Sequence, residues 1–375
     1  MRIMRGEIVK FTGTTFFVLA ALLVGSSAPP ADGCTTFLLN DGRRLVFGKN
    51  YDWHIRSGML TVNQRGMTKV SVADSGGKPA RWTSRDGSVT FNQFGREFPM
   101  GGMNEAGLVV EVMWLQGTVY PAADDRATLD NLQWIQYQLD NATTVGDVLA
   151  SDDRVRIAGG VPLHYLVADA AGQVATVEFI GGRMVAHTGS SLPVAALTNS
   201  TYDASLDYYE RRPQGYGSTS SFDRFATAAK RTLEFSRERP ADARAYAFDT
   251  LAAVAQPSST RWSIVYEIAE RRVHFRTDRR PAVRSLDLTE LDFDCGGTVL
   301  VLDLGAPVSG DIFEHLVPFT LEHNLGLIEF AFTHVPFLQD TPESVLSEIA
   351  RFPDSTACAM PVTGQIPARR LRVRQ

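Results

Sequence analysis

The feature that most constrains the fold is a short hairpin that begins directly after a cysteine. Residues 35–39 are rich in strand formers, the turn sequence Asn-Asp-Gly follows at 40–42, and residues 45–48 return as a second apolar run. A turn of this composition between two such runs is typical of an antiparallel hairpin. Cys34 is therefore predicted to lie at the start of a strand that belongs to a sheet.

The segment before Cys34 has the composition of a secretory leader. Two arginines and a lysine occur in the first ten residues, residues 11–25 are apolar, and small or turn-forming residues fill 26–33. Small residues also occupy positions −3 and −1 of a cut before the cysteine. We predict that residues 1–33 are a removed signal peptide, that residues 34–375 form one domain, and that the product is periplasmic or secreted. The alternative is a retained anchor helix, although the apolar run is shorter than the roughly 20 residues of a membrane span.

Composition excludes some classes of protein and draws attention to the cysteines. The chain is 44% hydrophobic and 21% charged with a formal net charge of −5, so it has no basic footprint for nucleic acid. No second membrane span is predicted, and no stable membrane association is expected once the leader is gone.

The chain has three cysteines. In an oxidising compartment Cys295 and Cys358 either pair or remain buried thiols, and Cys34 is then the odd one.

The order of the predicted elements favours an α+β protein. Strands come first, then helices, then strands, then helices again, rather than in strict βαβ alternation. Beyond the hairpin, the predicted strands cover residues 59–62, 88–91, 108–114, 163–168, 174–179, 263–268 and 272–276. The predicted helices cover residues 129–139, 145–150, 222–234, 241–254, 312–321 and 342–352, the last with Thr341 as its N-cap.

A cysteine at a mature N-terminus carries its own base. Its α-amino group has an ordinary pKa of about 8 and can take the thiol proton at neutral pH. The thiolate can then attack an amide carbonyl, form an acyl-enzyme and release it by hydrolysis. Two alternatives for Cys34 are a lipid-attachment site, which would consume the thiol, and a plain structural thiol. A lipid site normally follows the apolar run directly and begins with leucine, whereas Ala-Asp-Gly precedes this cysteine.

Several short motifs, taken in order, resemble one known family. Residues 34–37 read Cys-Thr-Thr-Phe and residues 47–53 read Phe-Gly-Lys-Asn-Tyr-Asp-Trp. The other matching segments lie at residues 102–108, 197–200, 221–225, 260–277 and 291–295. Together they resemble the choloylglycine hydrolases, which are N-terminal-nucleophile hydrolases and include bile salt hydrolases and penicillin V acylases. The resemblance covers nearly the whole mature chain and implies a four-layer αββα sandwich with Cys34 at the end of a central strand.

The resemblance also implies roles for individual residues. Cys34 would be the nucleophile, and Asp52 would accept a hydrogen bond from its α-amino group. Asn199 would donate a side-chain N–H to the oxyanion, and Arg224 would place a positive charge near the thiolate. The structural alternatives are that Asp52 caps a turn, that Asn199 forms an Asx turn after a strand, and that Arg224 is a surface residue of a helix.

A second group of residues is predicted to bind the substrate. Trp114 falls where relatives line the pocket and offer a backbone N–H to the oxyanion hole, and Trp53 and Met103 are expected to share its apolar wall. Core packing is the alternative for each. Lys49 stands where the family usually has arginine, which keeps the charge but loses the planar fork that binds two acceptors. Thiol activation by this residue is therefore in question.

The implied substrates are penicillin V, N-acyl-homoserine lactones or, as the alternative, conjugated bile salts. A wall of tryptophans favours an aromatic or fatty acyl group.

The short stretch between Asn199 and Arg224 is more like the Gram-negative branch, so a homo-oligomer, dimer or tetramer, is expected without the usual tetramer hairpin. Papain-type catalysis would need a distant His54, His164 or His187. No zinc or phosphate-binding motif is present, and neither a metal nor another cofactor is expected.

Overall fold

The computed structural model describes residues 33–72 and 77–359. Its strands are β1 Thr35–Asn40, β2 Leu45–Asp52, β3 Met59–Asn63, β4 Met67–Val70, β5 Arg81–Thr83, β6 Ser88–Asn92, β7 Pro99–Asn104, β8 Val109–Trp114, β9 Ala127–Leu129, β10 Val155–Ile157, β11 Leu163–Ala168, β12 Val174–Ile180, β13 Arg183–Thr188, β14 Ala196–Leu197, β15 Thr260–Glu267, β16 Arg272–Thr277, β17 Arg284–Asp287, β18 Leu300–Asp303, β19 Gly310–Asp311, β20 Val317–Pro318 and β21 Ala357–Cys358.

The helices are mostly short, and most of them begin at a side-chain cap. They are α1 Asn131–Asn141, α2 Val145–Ala150, α3 Tyr202–Arg211, α4 Ser221–Glu238, α5 Ala243–Ala253, α6 Leu321–His334 and α7 Glu343–Arg351. Asp130, Ser220 and Thr320 each accept a backbone N–H from the first turn of the helix that follows. These caps satisfy donors that would otherwise have no partner. Within the described residues, no helix is long and apolar enough to span a membrane.

Two large sheets build the fold. One has the strand order β14-β1-β2-β15-β16-β17-β19, and the other has the order β13-β12-β11-β8-β7-β6-β3-β18-β20. The predicted hairpin is confirmed, because β1 pairs with β2 from Thr35 opposite Asn50 to Asn40 opposite Leu45. β1 also pairs with β14 on its other side, so Cys34 precedes a strand that is inside its sheet.

Side chains from the two sheets meet in a buried layer, and helices cover the outer faces. Across this layer, Phe91 of β6 packs edge-on against Tyr266 of β15, and Tyr51 of β2 donates a hydrogen bond to Gln93. Helices α4 and α5 pack on β1 and β2, while α1 packs on β7 and β8. This arrangement confirms the four-layer αββα fold.

Two predictions about the last helices were wrong. The segment predicted as a helix at 312–321 forms a short turn at Phe313–His315 and the strand β20, and α6 begins only at Leu321. Pro318 cannot continue a helix because it has no backbone N–H, whereas Thr320 caps the helix that follows. In α7 the N-cap is Pro342, and no side chain caps this helix.

Between Asn199 and Arg224 the chain forms α3 rather than a hairpin. Farther along, Cys295 and Cys358 form a disulfide, which ties the C-terminal strand β21 and its neighbour β4 to the loop before β18. Apart from Gly33, the predicted signal peptide lies outside the described residues. The single-domain organisation stays a prediction.

Candidate active site

Cys34 stands at the start of β1 and is almost fully buried, with 6% of its surface exposed. Its sulfur lies 3.9 Å from the backbone carbonyl oxygen of Asp52, the last residue of β2. Burial raises the pKa of the Cys34 thiol, and the nearby Asp52 carboxylate raises it too, whereas the positive charges of Lys49 and Arg224 lower it. The positive charges of Lys49 and Arg224 therefore offset part of the free-energy cost of a buried thiolate.

The Asp52 carboxylate is held from both sides. Its Oδ2 accepts a hydrogen bond from Gln256 Nε2 at 2.9 Å, and its Oδ1 accepts one from the Thr260 hydroxyl. Burial raises the pKa of Asp52, while these hydrogen bonds and the charges of Arg224 and Lys49 lower it. Because β1 and β2 are the arms of one hairpin, the carboxylate and the thiol are kept at the same end of the sheet.

Asn199 and Arg224 meet beside the cysteine. Asn199 Nδ2 donates to the Trp114 carbonyl at 2.8 Å, and its Oδ1 accepts from Arg224 Nη2 at 2.9 Å. Arg224 Nη1 donates to the Cys34 carbonyl and to the Thr35 hydroxyl, each at 2.6 Å. The guanidinium therefore fixes both the backbone that carries the thiol and the amide that faces it.

Gly33, the residue before the thiol, occupies the same small space. Its carbonyl accepts a hydrogen bond from Gln256 Nε2 at 2.8 Å. A Cβ at this position would overlap the Asn199 side-chain amide and lie 2.7 Å from Arg224 Nη2. The bond between residues 33 and 34 is consequently packed against the groups predicted to act on substrate, and only glycine fits.

Lys49 lies under the nucleophile in the layer between the sheets. Its ammonium donates to the Val112 carbonyl and is 3.7 Å from Glu111 Oε2. Glu111 Oε1 in turn accepts a hydrogen bond from the Tyr266 hydroxyl at 2.6 Å, and burial raises the pKa of Glu111 to about 7. The Lys49 side chain runs into the core and is not part of the cavity lining described next, and its predicted role in substrate binding stays a prediction.

A cavity of about 180 Å³ opens from the thiol, and most of its lining is apolar. Trp53 and Trp114 line this cavity together with Cys34, and their ring centroids are 6.1 Å apart; Phe337 packs edge-to-face with Trp53, with ring centroids 6.3 Å apart. Met103 was predicted to share this wall but does not. It is fully buried between Val89 and Val109 in the strand ladder, and Met100, nearer the start of β7, lines the cavity instead.

The histidines considered for papain-type catalysis lie elsewhere. His164 contacts Glu178 and the Thr198 carbonyl, and His54 packs against the Trp53 ring. Neither contact reaches the Cys34 sulfur. In the part of the chain that the structure describes, no group of three or more histidine, cysteine, aspartate or glutamate side chains is arranged to hold a metal ion.

The sequence from Cys34 onward matches a known protein family. The model of the linear amide C–N hydrolases of the choloylglycine hydrolase family matches residues 34–221, which is half of the chain and starts at the cysteine. The chain belongs to the choloylglycine hydrolase family. It is therefore a hydrolase that acts on linear amides, and an amide is its substrate.

Individual relatives agree with this family. A penicillin V acylase from Pectobacterium atrosepticum is 27% identical over 345 residues, covering 76% of this chain and 89% of the relative. The solved penicillin V acylase of Agrobacterium tumefaciens is 30% identical, with a TM-score of 0.68 over 76% of this chain and 98% of that one. A conjugated bile acid hydrolase variant from Clostridium perfringens shares the fold at 14% identity, with a TM-score of 0.62 over 74% of this chain and 98% of that one.

Within this choloylglycine hydrolase site, sequence reasoning missed the residues that hold others in place. Gln256 follows α5 in a loop, and a single loop glutamine gives no pattern that could have identified it. Thr260 and Ser221 lie inside motifs that were recognised, yet no role was assigned to them. Phe332 and Phe337, which form the far wall of the cavity, come from the C-terminal helical region where the predicted boundaries were wrong.

Proposed function

We propose that the protein is an exported acylase that works with Cys34 as its N-terminal residue and hydrolyses amides of aromatic or fatty acids, such as penicillin V or N-acyl-homoserine lactones. One observation carries the proposal. The Cys34 thiol faces an apolar cavity walled by Trp53 and Trp114, with the polar groups of Asp52, Asn199 and Arg224 around the sulfur end. Apolar walls with a few convergent polar groups are typical of small-molecule sites.

The reaction begins when the α-amine of Cys34 takes the thiol proton. Asp52 accepts a hydrogen bond from that amine and orients it. The thiolate attacks the amide carbonyl, and the C–N bond then breaks as the ammonium returns its proton to the leaving nitrogen. Water next attacks the thioester, the amine removes the proton from this water, and the acid leaves with the thiol restored.

The oxyanion formed in each step needs a donor. The Asn199 amide has two N–H groups, and one is donated to the Trp114 carbonyl at 2.8 Å. The other can donate to the oxyanion that forms when the sulfur bonds to the carbonyl carbon. Donors of this kind contribute roughly 3–4 kcal/mol to transition-state stabilisation. Arg224 keeps the Asn199 carbonyl oxygen turned away, which fixes the amide nitrogen toward the reacting centre.

The acyl group is expected to enter the aromatic end of the cavity. Phe332, Phe337 and Ile349 close this end from the C-terminal helices, and no charged side chain among them would meet a sulfonate or carboxylate. The relatives at 27% and 30% identity are named penicillin V acylases, whereas the bile acid hydrolase likeness at 14% supports the fold alone. Bile salt hydrolysis remains the second candidate.

The test is a panel of penicillin V, N-acyl-homoserine lactones of several chain lengths and conjugated bile salts, assayed with purified mature protein. We expect kcat/KM to be higher for the first two classes, and a clear preference for bile salts would overturn the choice. Cys34→Ala should abolish hydrolysis while the protein stays folded, and Cys34→Ser should retain little, because a hydroxyl is a poorer nucleophile.

Mass analysis of the mature N-terminus tests the remaining parts of the proposal. A free cysteine at position 34 is expected, together with recovery of the protein outside the inner membrane. A diacylglyceryl mass would instead indicate a lipid-anchored binding protein without turnover. For assembly we propose a homo-oligomer, dimer or tetramer, whose contacts do not use a hairpin between Asn199 and Arg224, since α3 fills that stretch. Ultracentrifugation of the mature protein measures this.

A further inference from the structure

A second polar cluster lies behind the site, away from the cavity. His164 of β11 and Glu178 of β12 are neighbours in the nine-stranded sheet, and their exposed fractions are 0% and 2%. His164 Nδ1 is 3.0 Å from Glu178 Oε1, and His164 Nε2 is 2.7 Å from the carbonyl oxygen of Thr198. Thr198 directly follows β14 of the other sheet, so the imidazole joins the two sheets.

The partners of the imidazole fix where its proton lies. A backbone carbonyl only accepts hydrogen bonds, so His164 must carry a proton on Nε2 to bond with Thr198. Glu178 Oε1 lies opposite the other nitrogen, Nδ1, and also accepts the Tyr202 backbone N–H at 3.1 Å; a hydrogen bond between Nδ1 and this carboxyl needs a proton on one of the two. Because a buried polar group without a partner is costly, this orientation of the ring is strongly preferred.

The cluster brackets the residue that is proposed to donate to the oxyanion. Asn199 follows Thr198 directly and lies in the irregular segment between β14 and α3. The carbonyl before it is held by His164, and the N–H of Tyr202 at the start of α3 is held by Glu178. The Asn199 N–H itself donates to the Ser221 hydroxyl at 3.0 Å. The backbone of the donor is thereby fixed on both sides.

We propose that His164 and Glu178 are positioning residues that hold Asn199 in the geometry that stabilises the oxyanion. The inference rests on the proposed function, in which Asn199 supplies that donor. A donor must be held within about 0.5 Å of its productive position, and a loop residue without such support would not meet this tolerance. The His164 ring acts through the Thr198 carbonyl and does not touch the substrate.

Two substitutions at one position separate positioning from packing. In His164→Gln the amide nitrogen reaches the place of Nε2 and can still donate to Thr198, whereas in His164→Asn it reaches only the place of Nδ1. We expect His164→Gln to keep kcat within about threefold and His164→Asn to lose at least about 30-fold, with KM nearly unchanged, since one oxyanion donor is worth about 100-fold or more. Equal losses in both variants would show a packing role and overturn the proposal.

The chain offers a matched control in His274. It is as buried as His164. One of its ring nitrogens lies 2.7 Å from a glutamate, Glu267, and the other lies 2.7 Å from the Ser285 hydroxyl, where His164 has a backbone carbonyl. It lies on β16, away from the cysteine, and His274→Asn should leave kcat unchanged. A loss as large as that of His164→Asn would show that any buried histidine matters equally and would refute the specific role.

A measurement without substrate distinguishes failure of this inference from failure of the proposed function. In the mature protein labelled with ¹⁵N-histidine, the signal that disappears in His164→Gln should come from a ring whose Nε2 bears a proton. An unprotonated Nε2 would overturn the inference even if amide hydrolysis is efficient. If no amide in the panel is hydrolysed while Nε2 is protonated, the proposed function fails, and with it the oxyanion role assigned here.

Discussion

Replacing Lys49 by methionine would test how the buried charge under the nucleophile works. Methionine has a similar length but removes the charge and the donor to the Val112 carbonyl. The side chains of Lys49 and Glu111 are only 1% and 2% exposed, so water cannot replace the lost partner. Glu111 would keep its hydrogen bond from Tyr266 but would lose its counter-charge.

The size of the effect depends on pH. Removing one member of a buried ion pair costs about 3–5 kcal/mol. Burial already raises the pKa of Glu111 to about 7 despite the opposing charge of Lys49, and without Lys49 this pKa rises further. A carboxyl with a raised pKa stabilises the fold below its unfolded pKa, and this contribution is lost as pH rises through the folded value. We therefore expect Lys49→Met to cost more at pH 8 than at pH 5, by at most about 1.4 kcal/mol for each pH unit above the wild-type pKa, because the carboxyl of the variant keeps its proton there. At pH 5 Glu111 is neutral in both proteins. There we expect Lys49→Met to lower the free energy of unfolding by only about 1–3 kcal/mol, because the Val112 carbonyl loses its donor.

Guanidinium unfolding of the mature protein at pH 5 and pH 8 measures these free energies. Adding Glu111→Gln to the variant removes the titrating carboxyl and should abolish the difference between the two pH values. The Lys49 charge also lowers the pKa of the Cys34 thiol, so its removal should slow alkylation of Cys34 by iodoacetamide at pH 7. Equal destabilisation at both pH values, together with an unchanged alkylation profile, would refute this account.

The remaining predictions concern the leader, the cavity and the disulfide. If the site itself cuts the bond between residues 33 and 34, Gly33→Ala should slow the cut, because a Cβ there overlaps the Asn199 amide; an unchanged rate by mass spectrometry would show that a signal peptidase, which accepts alanine at −1, makes the cut. Trp114→Ala should raise KM for phenoxyacyl substrates by about 10-fold or more, as expected for loss of a large apolar contact, while the exposed Tyr216→Ala should not. Replacing both Cys295 and Cys358 by serine should cost about 4 kcal/mol, the loop-closure value for a separation of 63 residues, measured by thermal unfolding with activity at 25 °C retained.

The parts of the site that the sequence could predict lie in local structure. Cys34 and Asp52 flank one hairpin, whose turn sequence and apolar runs were sufficient to predict its pairing. Asn199 and Arg224 are far apart in sequence, and their assignment came from the family resemblance; the structure brings both to the cysteine. Their catalytic roles stay proposals.

Other features depend on tertiary packing, which has no local signal. Met103 belongs to a recognised motif, but which methionine of β7 meets the cavity depends on the register between β6 and β7, where the ladder is irregular between Phe91 and Asn92. The predicted helix at 312–321 does not form, because Pro318 has no backbone N–H with which to continue a helix. Gln256 acts only through its position beside Asp52 and Gly33.

Polar contacts between the sheets hold the backbone around the site in place. Lys49 of one sheet bonds to the Val112 carbonyl of the other, Asn199 bonds to the Trp114 carbonyl, and His164 bonds to the Thr198 carbonyl. In each case a side chain donates to a backbone carbonyl that belongs to a site residue, adjoins one or lies in the same strand as one. The far wall of the cavity comes instead from the C-terminal helices, which contribute nothing to these links. Acyl specificity can therefore change through α6 and α7 while the geometry around the sulfur is preserved.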